Sequence, residues 1–98
     1  MIVARYAVSD PCKAAERSRL LDEHKAYLHG APIRILLSGP SAPPSEGKGS
    51  TAIVIAQVET LAEFGAFSAG DPFVRSGIYA SVDIFEWRPS FGLLLENL

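Results

Sequence analysis

The sequence predicts an α+β fold whose elements follow the order β-α-β-β-α-β. Three observations predict it: four short runs rich in β-branched residues, two helix starts written in capping residues, and Gly/Pro punctuation between them. With 98 residues, the chain has room for one domain spanning residues 1–98, its last stretch (88–98) forming an apolar tail.

Ile2–Val8 (IVARYAV) is short and unbroken and reads as the first strand. In the Ser9-Asp10-Pro11 that follows, Asp10 is placed to accept from the first free helix amides, and Pro11 stands where its missing N–H costs nothing. The helix is expected from about Pro11 to about His29, with Leu20, Leu21, His24, Tyr27 and Leu28 on one face. Gly30 is the natural residue to end it, and Pro32 prevents continuation. Ile33–Ser38 forms the second strand, ending at Gly39-Pro40, and Ser41–Gly49 (SAPPSEGKG) is the longest loop. It makes a wide hairpin into the third strand, Ser50–Val58. Thr60 and Glu63 compose a capping box for a second helix carrying Leu61, Phe64, Ala66 and Phe67 and stopping at Gly70. Asp71-Pro72 repeats the cap-then-proline pattern ahead of a short turn over Phe73–Ser76, and Ile78–Trp87 is the last strand. This is the ferredoxin-like plan, one antiparallel sheet with both helices on a single face.

The other face of that sheet should then meet water and alternate cleanly with polar residues. It does not. Ala52, Val54, Ala56 and Val58 point one way and Ile53 and Ile55 the other, while Ile78, Ala80, Val82 and Ile84 oppose Tyr79, Phe85 and Trp87. With 48% hydrophobic residues overall, the second face is expected to be buried by a second protomer, giving a homodimer through the sheet. The tail adds Phe91, Leu93, Leu94, Leu95 and Leu98, either as a loose end or as a segment docked across the dimer.

Composition excludes several classes of function. The net charge is −2 and the nine Lys and Arg residues are scattered, without the basic stripe of a nucleic-acid binder. The single cysteine, Cys12, rules out an intrachain disulfide and a Cys-paired zinc site. No phosphate loop, dinucleotide glycine pattern or metal-ligand spacing is found, so no cofactor and no metal are expected. Residues 2–8 alternate like a strand rather than a targeting leader, and no apolar run approaches the ~20 residues of a membrane span. A soluble, cytoplasmic protein is the expectation.

Two residues stand out for chemistry. His24 lies on the apolar face of the first helix, where a histidine is by default a satisfied core or boundary residue; it is also a side chain suited to proton transfer near neutral pH. His29, at the helix end, suits a dipole-capping role. Asp71 is placed as a helix cap, yet one carboxylate oxygen can hold backbone amides while the other orients a histidine ring. Ser38, Gly39 and Ser50 flank the long loop as candidate pocket-wall contacts, and Tyr27 stands one turn beyond His24; ordinary turn and packing roles are open for all of them.

Arg17, HKAYL (24–28), SGP (38–40), GS (49–50) and AGDPFVRSGIY (69–79) together resemble the YCII-related proteins in order and spacing over about residues 1–88. The resemblance implies a dimeric α+β barrel, with a pocket between sheet and helices where the family's histidine and aspartate, His24 and Asp71 here, lie together. It adds Phe73 to the candidate pocket wall. The family includes uncharacterised proteins and a dehydrochlorinase of a chlorinated hydroxyhydroquinone. The implied function is a cofactor-independent, lyase- or isomerase-type proton transfer on a small cyclic or carbonyl-bearing metabolite, with His24 as acid or base and Asp71 as its orienting partner. The alternatives are a non-catalytic ligand-binding or regulatory module, and an assembly subunit whose main feature is its dimer face.

Overall fold

In the computed structural model, which describes residues 1–43 and 45–98, four strands form one antiparallel sheet. They are β1 (Ile2–Ser9), β2 (Arg34–Ser41), β3 (Thr51–Gln57) and β4 (Tyr79–Trp87), in the order β2-β3-β1-β4. This is the ferredoxin-like arrangement, with the first and third strands central and the hairpin strand β2 and the last strand β4 at the edges. The helices are α1 (Ala14–His29), α2 (Leu61–Gly70) and the single turn α3 (Pro72–Arg75).

The local starts follow from capping chemistry. Asp10 accepts from the Cys12 amide at 2.9 Å and opens a 3-10 turn over Pro11–Lys13 that leads into α1. Thr60 accepts from the Glu63 amide at 3.1 Å, and the Glu63 carboxylate reaches back to the Glu59 amide at 3.0 Å. Gly30 ends α1 at φ −92°, so the helix stops without the left-handed turn that glycine usually supplies. Its amide still bonds the Ala26 carbonyl at 3.0 Å.

Between sheet and helices, Val3, Val54, Ala56 and Val58 meet Phe64 and Phe67 of α2, with Tyr27 and Leu28 of α1 closing over them. Inward positions on β1 are therefore Val3, Arg5 and Ala7, so the guanidinium of Arg5 sits in the layer that its neighbours fill with hydrocarbon. The opposite face leaves large apolar side chains in solvent: Leu37, Ile53, Phe85 and Trp87. Phe91 and Leu93 of the tail are more than 90% exposed, and the tail ends in a 3-10 turn over Leu95–Asn97.

Two features differ from the sequence expectation. β2 does not stop at Ser38 but runs on through Gly39-Pro40 to Ser41, pairing Gly39 with Ile53 and Pro40 with Ala52. An edge strand accommodates this, because a proline can turn its missing donor outward. Pro44, in the middle of the expected loop, lies outside the described residues. The second difference is register. Both edge pairings slip by one residue: Ile35 pairs with Ala56 but Leu37 with Ile55, and Val8 pairs with Ser81 but Ser9 with Tyr79. Leu36 and Ala80 are thus extra residues, and each bulge reverses the facing of what lies beyond it. Tyr79, expected beside Phe85 and Trp87, turns instead to the helix side, while Ser38 on β2 faces the cavity as expected of a pocket-wall residue.

Where β3 begins, Gly49 crosses β1 so closely that a Cβ there would lie 2.0 Å from the Ser9 carbonyl oxygen, whereas a Cβ on Gly39 meets nothing within 4 Å. Gly49→Ala is expected to cost about 1–3 kcal/mol, because backbone must move, and to lower the Tm by several degrees. Gly39→Ala should leave the melting curve almost unchanged; thermal denaturation of the two variants checks the contrast.

Candidate functional site

A cavity of about 990 Å³ opens between the sheet and α1. Its helical wall is a stripe at spacings of four, three and four, Arg17, Leu21, His24 and Leu28, so the periodicity that makes α1 amphipathic also points these side chains into one space. The sheet supplies Arg5, Val54 and Tyr79, and Ser38, Gly39 and Ser50 line the edge near the long loop.

At one end the polar groups converge on Asp71, which is fully buried. Its Oδ1 lies 2.7 Å from His24 Nδ1 and accepts the Phe73 amide at 2.9 Å. Its Oδ2 lies 3.0 Å from Arg5 Nη2, a charge contact whose N–H is not aligned with the oxygen. Arg5 is 1% exposed and gives its Nη1 hydrogen to Ser68 Oγ at 3.2 Å. Burial alone would push the Asp71 carboxyl up; the hydrogen bonds from His24 and the Phe73 amide, with the charges on His24 and Arg5, outweigh it and hold the carboxyl below its ordinary 3.8. Asp71 is therefore an ionised acceptor at neutral pH, so Nδ1 holds a hydrogen toward it and Nε2 is the ring nitrogen outside this contact.

The ring is held by more than that bond. His24 stacks on Phe73 with centroids 3.9 Å apart and planes 2° from parallel, and Tyr79 meets it edge-on at 6.5 Å. Arg17 lies 5.3 Å from the Phe73 ring centroid, and Arg5 lies 5.5 Å from that of Tyr79. Burial is the main influence on Tyr79 and raises its phenol above its ordinary 10.0; the Asp71 charge adds to it, against the pull of Arg5 and Arg17. It stays a hydroxyl donor. Among the described residues, the Tyr79 hydroxyl, Arg5 Nε and Arg17 Nε are buried without a hydrogen-bond partner.

Of the residues singled out from sequence, His24 and Asp71 come together, and Ser38, Gly39 and Ser50 reach the cavity wall, Ser50 giving its hydroxyl hydrogen to Ser9 at 3.3 Å. Tyr27 and Phe73 do not line it. The Tyr27 hydroxyl bonds the Phe67 carbonyl at 2.8 Å while its ring stacks on Phe67, and a Cβ on Gly70 would strike it, so it locks α1 to α2. Phe73 is fully buried behind the His24 ring as its stacking platform. His29, assigned above to the helix end, also borders the cavity. Sequence reasoning missed Arg5 and Tyr79 as site residues. Arg5 had a usable signal: it is the one charged residue in Ile2–Val8 and shares its facing with Val3 and Ala7. Tyr79 had none, since the bulge at Ala80 leaves no mark on alternation. Among the described residues, no three His, Cys, Asp or Glu side chains gather as a metal would need, and no helix is long and apolar enough to cross a membrane.

Solved structures share this fold. The 5-chloro-2-hydroxyhydroquinone dehydrochlorinase of Burkholderia phenoliruptrix, solved with 2,5-dihydroxybenzoquinone, superposes with a TM-score of 0.79 at 23% identity, over 92% of this chain and 96% of that one. SnoaB of Streptomyces nogalater, a cofactor-independent oxygenase, gives 0.52 at 15% identity, over 91% of this chain and 92% of that one. At the sequence level, residues 1–88 match the YCII-related domain, and the chain belongs to that family. A Haemophilus influenzae relative, an uncharacterised protein, is 31% identical over 93 residues, covering 88% of this chain and 95% of its own length.

The lowered Asp71 carboxyl fixes a sign for stability. Its ionised form is favoured by folding, so its contribution is full above pH 3.8 and is lost as pH falls through the lower folded value. Asp71→Asn strands the buried Arg5 charge and is expected to cost about 3–5 kcal/mol. Urea unfolding at neutral pH should show that loss, and a pH series should show a shallower fall in stability below pH 4 for the variant than for the parent.

Proposed function

We propose that this protein catalyses proton transfer on a small cyclic or carbonyl-bearing metabolite, in a lyase- or isomerase-type reaction without a cofactor. The observation carrying this reading is the 2.7 Å contact of His24 Nδ1 with a buried, ionised Asp71, which leaves Nε2 as the nitrogen free for chemistry beside the cavity. In the forward step Nε2 takes a proton from a carbon next to a carbonyl, and the C–H electron pair moves toward the carbonyl oxygen. In an isomerisation the imidazolium returns that proton to another carbon; in an elimination the same pair expels a leaving group. Asp71 fixes the tautomer and stabilises the imidazolium between the two steps. Support comes from the neighbours: one removes hydrogen chloride from a hydroquinone by its name, and another is named as working without a cofactor. Hydrolysis fits less well, because among the described residues no serine of the cavity wall is hydrogen-bonded to a base, Ser50 bonding Ser9 instead.

His24→Ala is expected to lower kcat by about 10²–10⁴-fold on a substrate found by screening hydroxyquinones and cyclic enones, with far less change in ligand affinity. Turnover that survives the substitution at the parental rate would refute the role. Ligand binding without turnover of any compound would favour a binding module instead.

The same reading includes a homodimer formed through the sheet. Leu37, Ile53, Phe85 and Trp87 are exposed on one face, more apolar surface than an isolated sheet leaves to water. Phe85→Glu places a charge in that face and should convert a species of twice the chain's 10.5 kDa into a monomer in sedimentation velocity. The emission of Trp87, the chain's single tryptophan, should shift to the red with it.

A further inference from the structure

The cavity collects charge that the chain as a whole does not have. Three of the nine Lys and Arg residues line it, Arg5, Arg17 and Lys25, together with both histidines, and none of the eleven Asp and Glu residues does so among the described residues. The whole chain carries −2, so this is segregation rather than bulk composition. Not all of that charge is available to a ligand. Arg5 is neutralised by Asp71 at 3.0 Å, although its Nε and Nη2 are both buried without an aligned acceptor. Arg17 is different: among the described residues its guanidinium makes no ion pair, while Lys13 and Arg19 on the same stretch both engage Glu16. It is instead steadied near the Phe73 ring, and its Nε is buried and unpartnered. The Tyr79 hydroxyl is a further buried donor without an acceptor. Leaving such donors unmatched is costly, and acceptor oxygens of a ligand would relieve it. The rest of the wall, including Leu21, Leu28, Ile35 and Val54, is hydrocarbon.

We infer that the cavity is selective for an anionic ring compound, a carboxylate, phenolate or enolate whose charged oxygen is held by Arg17 with the Tyr79 hydroxyl and Arg5 Nε beside it, while its ring packs on the apolar wall. This rests on the reading of the cavity as the small-molecule site. Arg17 stands two turns before His24 on the same stripe of α1, so a ligand held by its oxygen presents its ring to Nε2. Charge that moves onto a carbonyl oxygen as a proton leaves carbon then develops beside a fixed cation.

Benzoate and benzamide, alike in shape and different in charge, test this by titration followed in amide NMR spectra of the full chain. Benzoate is expected to bind at the cavity about tenfold more tightly than benzamide, with the difference shrinking as salt is raised. Arg17→Gln should abolish most of the preference, and Arg17→Lys should retain part of it. His24→Ala should keep the preference, which separates this inference from the proton-transfer reading: selective benzoate binding in a protein whose turnover survives His24→Ala, or that turns over none of the screened compounds, sustains this inference by itself. Equal binding of the two compounds, an unchanged preference in Arg17→Gln, or no benzoate binding at tens of millimolar would overturn it.

Discussion

The Asp71 carboxylate is shared among three elements that would otherwise have no polar reason to meet: the central strand through Arg5, the first helix through His24, and the start of α3 through the Phe73 amide. A guanidinium on the inward face of a central strand loses several kcal/mol of hydration, and only an opposite charge at short range offsets it. A carboxylate buried to the same extent carries the reciprocal debt of hydration. Each makes the other tolerable. Two neutral hydrocarbon side chains of similar volume would fill the space with less electrostatic risk, so the pair is better understood as setting position than as adding net stability.

What that position accomplishes is visible at His24. The Phe73 amide binds the same carboxylate oxygen that faces His24 Nδ1, and the Phe73 ring lies flat against the imidazole. One short turn, Asp-Pro-Phe, thus delivers both the hydrogen-bond partner and the stacking surface for a side chain 47 residues earlier. The cap of α3 and the partner of His24 are one atom set here, and the local rule for starting a helix does not compete with that contact. Tyr27 performs the complementary service at the far side of α1, where its bond to Phe67 sets the distance between the two long helices.

Much of the fold was legible because its punctuation is local. Asp10-Pro11, Thr60 with Glu63, and Asp71-Pro72 each mark a helix start by side-chain chemistry that acts within four residues. The apolar outer face was legible too, since Ile53, Phe85 and Trp87 stand on it as alternation requires. Legibility failed where a contact depends on register between distant strands. Tyr79 is assigned its facing by counting in twos, and the one unpaired residue at Ala80 defeats the count. The candidate site was half legible: residue type and position single out His24 and Asp71, the matched segments add their pairing, and Arg5 escapes notice because a strand containing one charge still reads as a strand. Tyr27 and Phe73 were misplaced for a simpler reason, as proximity in sequence to a polar centre does not say whether an aromatic ring faces the cavity or supports it from behind.

The two bulges have an implication for how such a cavity changes over generations. Leu36 and Ala80 lie on the two edge strands, far apart in sequence, and each is an extra residue in its pairing. Central strands β1 and β3 keep unbroken register with each other, so the scaffold that holds Arg5 stays constant while the rims are adjustable. Loss of Ala80 or Leu36 would restore plain alternation and leave Tyr79 with Ser9 and Ile35 with Ala56, so the extra residue can go without changing which side chains line the cavity. The edge strands can therefore lose their extra residue and keep their lining, while the charged centre on β1 stays where it is.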